Sequence, residues 1–205
     1  MLSTIELDSF AAAFTVLGRL HIQPANHNTR AQFFALLDEW PISVGSSDHT
    51  LRGLQLIRSS QDLGEDDSAI INDQDMLYGI SAAAKVAPYE SVHRGEDRLV
   101  FDKQTLEVRS EYAKLHLQAP RYNAEPDDHI GLELDFIGQC LLVAMGGDQT
   151  ALQLAQVFTE EHVIQWAPNM LADAEALATT AWVRGICALA RGTIESWTQV
   201  SEPHA

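Results

Sequence analysis

The segment from Ile130 to Met145 most constrains the fold, because its apolar residues cover almost every side of a helix. Four of its apolar side chains follow one another at spacings of four, three and four: Ile130, Leu134, Ile137 and Leu141. Further apolar residues occupy most of the remaining circumference, so little of this helix is left to face water. The sequence therefore predicts a central helix that other elements surround and that stops at Gly146-Gly147.

The elements around this helix are also predicted to be helical. Apolar residues recur at helical spacing in residues 5–20, 29–39, 47–60, 66–78, 103–117, 149–166 and 174–200. Asp102 and Asp148 are suited to cap the helices that follow them, and Pro41 and Pro168 are expected to close the helices before them. Strand-like alternation is not convincing anywhere in the sequence.

A long connection interrupts the helical pattern after Gly79. Residues 79–101 contain a proline, a second glycine and no sustained period. Connections of this length in compact helical domains are unusual and are often functional. The apolar and aromatic content of this one predicts that it is ordered. The predicted fold is therefore all-α: a single-domain helical bundle over residues 1–205 with one long ordered loop at about 79–101.

The charge balance is strongly acidic. Asp and Glu number 29 against 13 Lys and Arg, which gives a formal net charge of −16. Such a field repels nucleic acid and anionic lipid headgroups and attracts basic partners. The surface is therefore either a highly soluble acidic one or one that includes a site for a cationic ligand.

The cysteines and the apolar runs predict a cytoplasmic protein. Cys140 and Cys187 lie in apolar helical patterns and form no Cys-x-x-Cys motif, which is typical of buried thiols in a reducing compartment. The N-terminus is acidic and lacks the basic region of a secretory signal. No apolar run approaches the roughly 18–20 residues that span a bilayer.

The stretch "NAEPDDHIGLELDF", residues 123–136, fits several interpretations. As a helix start, it would place Pro126 in the first turn and Asp127 and Asp128 against the positive end of the helix dipole. This leaves His129 unexplained, since a cation gains nothing there; a neutral imidazole held by a carboxylate or a backbone group fits better. The carboxylates could also form an acid–base pair or receive a basic ligand.

A metal site is a further alternative for the same stretch. Glu125, Asp128 and His129 offer oxygen and nitrogen ligands. A di-iron carboxylate bundle, however, needs two Glu-x-x-His motifs on helices. The sequence has one such motif, Glu90 to His93, and it lies in the long loop. No nucleophile stands beside a base in any familiar catalytic motif, so the sequence gives little indication of an enzyme.

Several stretches resemble one family when they are taken in order. "NDQDMLYG" (72–79) is similar to the Asp-Tyr-x-x-Leu-Phe-x-Gly segment of the TorD/DmsD family of redox-enzyme maturation chaperones. "APYESVH" (87–93) resembles its Pro-x-x-Ser-Val-Tyr segment, and "EPDDHIGLELDF" (125–136) its Glu-Pro-x-Asp-His signature with the central helix. "FTEEHVIQWAP" (158–168) is a looser match. Gln74 and Tyr78 depart from the tyrosine and phenylalanine usual in the family, and Tyr89 stands where tryptophan is common.

The resemblance implies a cytoplasmic, all-helical chaperone that is not an enzyme. Such proteins bind the twin-arginine signal peptide, and often the folded body, of a molybdopterin oxidoreductase catalytic subunit of the DMSO/TMAO-reductase type. They support cofactor insertion and prevent premature export. No cofactor or metal is predicted, although some members have been linked to guanine-nucleotide binding. The family includes monomers and domain-swapped dimers, and no nucleic acid or membrane span is expected.

The resemblance also indicates which residues bind the signal peptide. A twin-arginine peptide carries adjacent guanidinium groups followed by an apolar stretch, and it needs carboxylates beside an apolar groove. We expect Asp128 and His129 to act as a coupled pair, with His129 orienting the carboxylate. The predicted site residues are Leu77, Tyr78, Pro88, Tyr89, Glu90, Ser91, Glu125, Pro126, Asp127, Asp128 and His129.

Two other functions remain open at this point. One is a small helical metal- or nucleotide-binding enzyme that uses Asp127, Asp128 and His129. The other is a general adaptor whose acidic surface has no specific peptide. His162 and Trp166 are predicted to be a packed pair, and residues 64–67 a solvated helix start without a function.

Overall fold

The computed structural model describes residues 2–79 and 84–201. It confirms the predicted all-α fold. In these two ranges there is no strand, and one isolated antiparallel bridge joins Tyr89 to His129. The helices are α1 (Thr4–Ile22), α2 (His27–Ala35), α3 (Asp48–Leu63), α4 (Asp67–Tyr78), α5 (Glu90–Arg94), α6 (Lys103–Lys114), α7 (Ile130–Met145), α8 (Gln149–Phe158), α9 (Ile164–Leu177) and α10 (Ala181–Ser201), with a short 3₁₀ turn at Leu37–Glu39.

The central position predicted for residues 130–145 is confirmed. Ile130, Leu134, Ile137 and Leu141 of α7 are fully buried. They belong to one continuous apolar cluster that also contains the indoles of Trp166, Trp182 and Trp197. Leu132, Asp135 and Gln139 of α7 are partly exposed, and in its last turn Leu142 and Val143 are exposed. No helix in the described ranges is long and apolar enough to cross a bilayer.

The predicted helix ends are mostly correct. Asp102 is the N-cap of α6, and the Asp148 carboxylate accepts hydrogen bonds from the backbone N–H groups of Thr150 and Ala151 at the start of α8. α7 ends at Gly146. Cys140 and Cys187 are free, buried thiols as predicted, and burial raises the pKa of each to about 12.

The prediction that Pro168 ends a helix is wrong. After α8 the chain makes a π turn at Thr159–Val163 and continues into α9, which contains Pro168 in its interior. Proline lacks the N–H that would bond the carbonyl four residues earlier, so a regular helix loses one bond there. Here the π turn lies directly before α9, and α9 runs through Pro168 to Leu177 without a break.

The prediction of one continuous helix over residues 174–200 is wrong, because the chain breaks between α9 and α10. The chain leaves the helix at Ala178 and re-enters it at Ala181. The Asp73 carboxylate accepts hydrogen bonds of 2.7–3.0 Å from the N–H groups of Thr179 and Thr180 and from the Thr180 hydroxyl. Glu65 accepts from the next N–H groups, those of Ala181 and Trp182, at 2.7 and 3.0 Å. Glu65 is therefore a structural residue, and the prediction that residues 64–67 are merely solvated is wrong for it.

α1 and α7 cross in direct backbone contact. A Cβ added to Gly18 would lie 2.6 Å from the carbonyl oxygen of Gly131, and one added to Gly131 would lie 2.5 Å from the carbonyl oxygen of Gly18. Real Cβ atoms do not approach backbone oxygens so closely, so both positions require glycine. The contact sets the C-terminal end of α1 beside the N-terminal end of α7.

The predicted loop at 79–101 contains a short helix that the sequence did not reveal. α5 spans Glu90–Arg94. Residues 80–83 of this connection lie outside the described ranges, as do residues 1 and 202–205. The assignment of residues 1–205 to a single domain stays a prediction.

We expect Gly131→Ala to destabilise the protein by about 1–3 kcal/mol, because the new methyl group meets a backbone oxygen that cannot move aside. The free energy of unfolding from urea titration measures this. Gly45→Ala is the matched control, since its Cβ would meet nothing closer than 3.7 Å, and it should change stability by less than about 1 kcal/mol. Equal effects of the two substitutions would show that the α1–α7 contact is not tight.

Candidate functional site

Two of the segments that carry the family resemblance lie side by side. The isolated bridge between Tyr89 and His129 consists of two backbone hydrogen bonds. Glu90 N–H donates to the Asp128 carbonyl at 3.0 Å, and Ile130 N–H donates to the Pro88 carbonyl at 2.8 Å. The ring of Tyr89 packs edge-on against the His129 ring, with centroids 5.3 Å apart. Residues 88–91 and 126–130 therefore form one wall.

Asp127 is fully buried and paired within the protein. Arg109 donates two hydrogen bonds to its carboxylate, from Nε at 3.0 Å and from Nη2 at 2.9 Å. The Arg109 guanidinium also lies 4.2 Å from the centroid of the Tyr122 ring. The Tyr112 hydroxyl donates to the Asp127 carbonyl at 3.0 Å. Asp127 thus anchors α6 to the segment before α7.

Asp128 is also fully buried, and its partners differ from those predicted. Its carboxylate accepts a hydrogen bond from the Ser91 N–H at 2.7 Å and another from the Thr105 hydroxyl at 2.6 Å. It therefore holds the start of α5 and does not form the predicted pair with His129. The prediction that Pro126, Asp127 and Asp128 open the central helix is likewise wrong, because α7 begins at Ile130.

His129 is the N-cap of α7. Its Nδ1 accepts a hydrogen bond from the Gly131 N–H at 3.0 Å, so a backbone group holds the imidazole. Burial, with a smaller contribution from the nearby His21, lowers the pKa of His129 to about 3. His129 is therefore neutral near pH 7, and it adds no positive charge to the helix start.

A groove of about 700 Å³ opens beside this wall. The end of α1, the end of α4, Tyr89 and the start of α7 form its sides. Five predicted site residues line it: Tyr78, Tyr89, Glu125, Pro126 and His129. The others that line it are His21, Ile22, Gln23, Pro24, Gln74, Asp75, Gly79, Ala119, Pro120, Arg121 and Leu132.

The remaining predicted site residues lie behind the groove surface. They are Leu77, Pro88, Glu90, Ser91, Asp127 and Asp128, all of them buried. Because these side chains are buried and do not line the groove, the structure does not support the direct peptide contact that we predicted for them. Their effect on the groove is indirect, through the position of Tyr89 and His129.

Glu90 joins a polar cluster inside the protein. Its carboxylate contacts Arg94 and accepts a hydrogen bond from His162 Nδ1 at 2.9 Å. Arg94 also donates to the Glu161 carbonyl of the π turn at 2.8 Å. α5 is therefore tied to the π turn by charged groups. His162 and Trp166 are both largely buried as predicted, but they have separate partners, since Trp166 stacks on His93 at 5.2 Å between ring centroids.

Glu133 is the residue of this cluster that sequence reasoning missed. It is fully buried, and its Oε2 accepts a hydrogen bond from Trp166 Nε1 at 3.1 Å. Burial, together with the nearby charges of Glu90 and Asp128, raises the pKa of Glu133 well above its ordinary value. A carboxylate within an apolar helix pattern was the signal that could have identified it.

The acids that remain accessible in the groove are Glu125 and Asp75. The Glu125 side chain is 34% exposed and is paired with the largely exposed Arg121. No described residue forms a hydrogen bond or ion pair with the Asp75 carboxylate, which is exposed on α4. Asp75 belongs to the "NDQDMLYG" segment, but no pattern in that segment distinguishes it from its neighbours.

The geometry gives no support to a metal centre at Asp127, Asp128 and His129. The two carboxylates are engaged by Arg109, Ser91 and Thr105, and the His129 Nδ1 is engaged by a backbone N–H. Across residues 2–79 and 84–201, no three His, Cys, Asp or Glu side chains are grouped so that they could hold a metal ion.

Comparisons with known proteins agree with the predicted resemblance. Residues 75–172 match the family described as nitrate reductase delta subunit, a range that includes every predicted site residue. The chain is similar to the chaperone protein TorD of Aliivibrio salmonicida (strain LFI1238), with 33% identity over 89 residues. It is also similar to the chaperone protein TorD of Vibrio atlanticus (strain LGP32), with 29% identity over 87 residues.

These findings confirm the resemblance to the TorD/DmsD family. Each of the two matches covers 40% of this chain and 40% of the relative. The chain therefore matches well under half the length of these curated relatives, and the matched part contains the groove wall.

We expect Asp128→Ala to loosen α5, because the buried Ser91 N–H loses its acceptor at a cost of about 1–3 kcal/mol. Hydrogen exchange followed by mass spectrometry should show faster exchange in residues 90–95 than in the unaltered protein. Asp97→Ala, an exposed residue of the same connection, should leave exchange there unchanged. An unaltered exchange rate in residues 90–95 of Asp128→Ala would contradict the assigned role.

Proposed function

We propose that this protein is a chaperone that binds the twin-arginine signal peptide of a molybdopterin oxidoreductase subunit in the groove beside Tyr89 and His129. The observation that carries the proposal is that one groove of about 700 Å³ brings together Tyr78, Tyr89, Glu125, Pro126 and His129. These residues come from separate segments of the family resemblance.

Accessible carboxylates in the groove suit the two guanidinium groups. The Asp75 carboxylate has no cationic partner among the described residues, so an arginine would not have to displace one. Glu125 is paired with Arg121, but both side chains reach solvent. Exposed pairs of this kind are worth about 0–1 kcal/mol, so a peptide arginine can replace Arg121 at small cost. A bidentate guanidinium–carboxylate contact is stronger than an ordinary hydrogen bond.

The other groove surfaces suit the apolar part of such a peptide. Ile22, Pro24 and Leu132 provide aliphatic surface, and Tyr89 provides an aromatic ring that is partly exposed. An arginine over the face of an aromatic ring gains about 0.5–2 kcal/mol. His129 is neutral near pH 7, so it does not repel a cationic peptide.

The charge of the whole chain supports the same type of ligand. A net charge of −16 attracts a doubly cationic peptide over about a Debye length, roughly 8 Å in physiological salt. This attraction raises the rate of encounter more than the final affinity.

The proposed role is to hold, in the cytoplasm, the signal peptide and also the unfinished body of the enzyme subunit. Binding would support cofactor insertion and delay export until the subunit is complete. The protein would act by binding and not by catalysis. The similarity to proteins named chaperone protein TorD supports the chaperone part of this proposal.

We expect a synthetic twin-arginine signal peptide to bind the purified protein, and Tyr89→Ala and Glu125→Gln each to weaken binding about tenfold. A loss of this size corresponds to about 1.4 kcal/mol, as expected for one aromatic or one charged contact. Isothermal titration calorimetry measures it. Glu160→Gln, which removes one exposed charge on the π turn, is the matched control and should leave the affinity within about twofold.

Added salt should weaken the same binding mainly through a slower association rate. A peptide in which both arginines are replaced by glutamine should bind much more weakly. The proposal is wrong if the folded protein binds neither this peptide nor any other twin-arginine peptide. It is also wrong if the glutamine peptide binds equally well.

A further inference from the structure

Gln74 lies at the floor of the groove with a fixed side-chain amide. The residue is 3% exposed and lines the groove. Its Nε2 donates hydrogen bonds to the carbonyl oxygens of Leu20 and His21, at 3.0 and 3.2 Å. The opposite amide orientation would set the side-chain oxygen against two carbonyl oxygens, which have no hydrogen to donate. The positions of nitrogen and oxygen are therefore determined by the end of α1.

The Gln74 Oε1 that results from this orientation is a buried acceptor without a donor among the described residues. Buried polar atoms are nearly always paired, and each exception calls for an explanation such as a ligand or an ordered water. Gln74 lines the groove, but Oε1 itself has almost no accessible surface, so an occupant of the groove supplies the missing hydrogen only where the surrounding side chains give way to it. The groove floor thus selects for a group that donates hydrogen bonds.

The neighbouring groups define which donor fits. Asp75 follows Gln74 in α4, and its carboxylate, which has no partner among the described residues, lies at the same groove. Burial lowers the pKa of His21 to about 4, so this second floor residue is neutral and does not repel a cation. The Tyr78 hydroxyl is already engaged by His21 Nδ1, at 3.1 Å. Among the described residues, the site therefore combines the Asp75 carboxylate and Gln74 Oε1, neither of which has a partner, with His21 Nε2, a second buried polar atom without a partner.

We infer that Gln74 is a specificity-determining residue that makes the groove select arginine over lysine at one position of the peptide. An arginine guanidinium offers five N–H donors in a rigid plane, so it can bond the Asp75 carboxylate and Gln74 Oε1 together. A lysine ammonium is a compact, strongly hydrated charge. It gains less binding free energy than a guanidinium from a neutral, buried acceptor such as Gln74 Oε1. This inference rests on the proposed function.

The test compares four peptides that differ only in the paired residues: Arg-Arg, Arg-Lys, Lys-Arg and Lys-Lys. In the unaltered protein we expect lysine to weaken binding about tenfold more at one of the two positions than at the other. In Gln74→Met we expect this difference to fall to about twofold or less. Gln55→Met, which alters an exposed glutamine of α3 outside the groove, should preserve it.

A purely structural role for Gln74 gives a different result. Loss of its bonds to the end of α1 would weaken all four peptides by the same factor and leave the arginine preference unchanged. That outcome, or an unaltered protein that binds all four peptides equally, would overturn the inference while the proposed function stands. An unaltered protein that binds none of the four would overturn the proposed function and this inference with it.

A second measurement does not depend on the folding of Gln74→Met. In ¹⁵N-labelled, unaltered protein, the side-chain amide resonances of Gln74 should shift on binding the Arg-Arg peptide. They should shift less with the peptide that carries lysine at the selective position. Equal shifts with both peptides would contradict a hydrogen bond between the guanidinium and Gln74 Oε1.

Discussion

The backbone contact between α1 and α7 determines where the groove lies. Gly18 and Gly131 meet without side chains between them, so the two helix backbones are in direct contact there. One turn beyond this crossing, α1 ends with His21 and Ile22, and α7 begins beside His129. The end of α1 and the start of α7 both line the groove. The two glycines set the distance between these helix ends. The Gln74 side chain joins α4 to the same end of α1 by donating hydrogen bonds to two backbone carbonyls. Gln74 thereby forms the floor of the groove.

The acidic residues near the groove have two separate tasks. Asp127, Asp128 and Glu90 are buried and are paired with cations or hydrogen-bond donors of the protein. They hold α5 and α6 against the start of α7. Asp75 and Glu125 reach solvent and remain available to a ligand. The Asp-Asp-His part of the signature is thus explained by architecture, and substitutions of Asp127 and Asp128 would alter the groove by moving Tyr89 and His129.

The sequence predicted most of the helices because their apolar periodicity is strong, and the burial of Leu134 and Ile137 followed from the same pattern. It did not predict the break before α10, since that break depends on Asp73 and Glu65, which are more than a hundred residues away in the chain. The family resemblance pointed to the region of the chain that contains the groove. It could not separate Tyr89, which lines the groove, from its neighbours Pro88 and Glu90, which are buried. That distinction depends on the bridge between Tyr89 and His129. The bridge joins residues that are far apart in the chain, so local sequence patterns do not predict it.

The most direct test of peptide binding in this groove is the detection of intermolecular NOEs between a twin-arginine peptide and methyl-labelled protein. We predict NOEs from the apolar part of the peptide to the methyl groups of Ile22 and Leu132. A separate cleft of about 370 Å³, lined in part by Val16 and Leu36, offers an internal comparison. NOEs to Val16 and Leu36, with none to Ile22 and Leu132, would contradict the assignment of the groove.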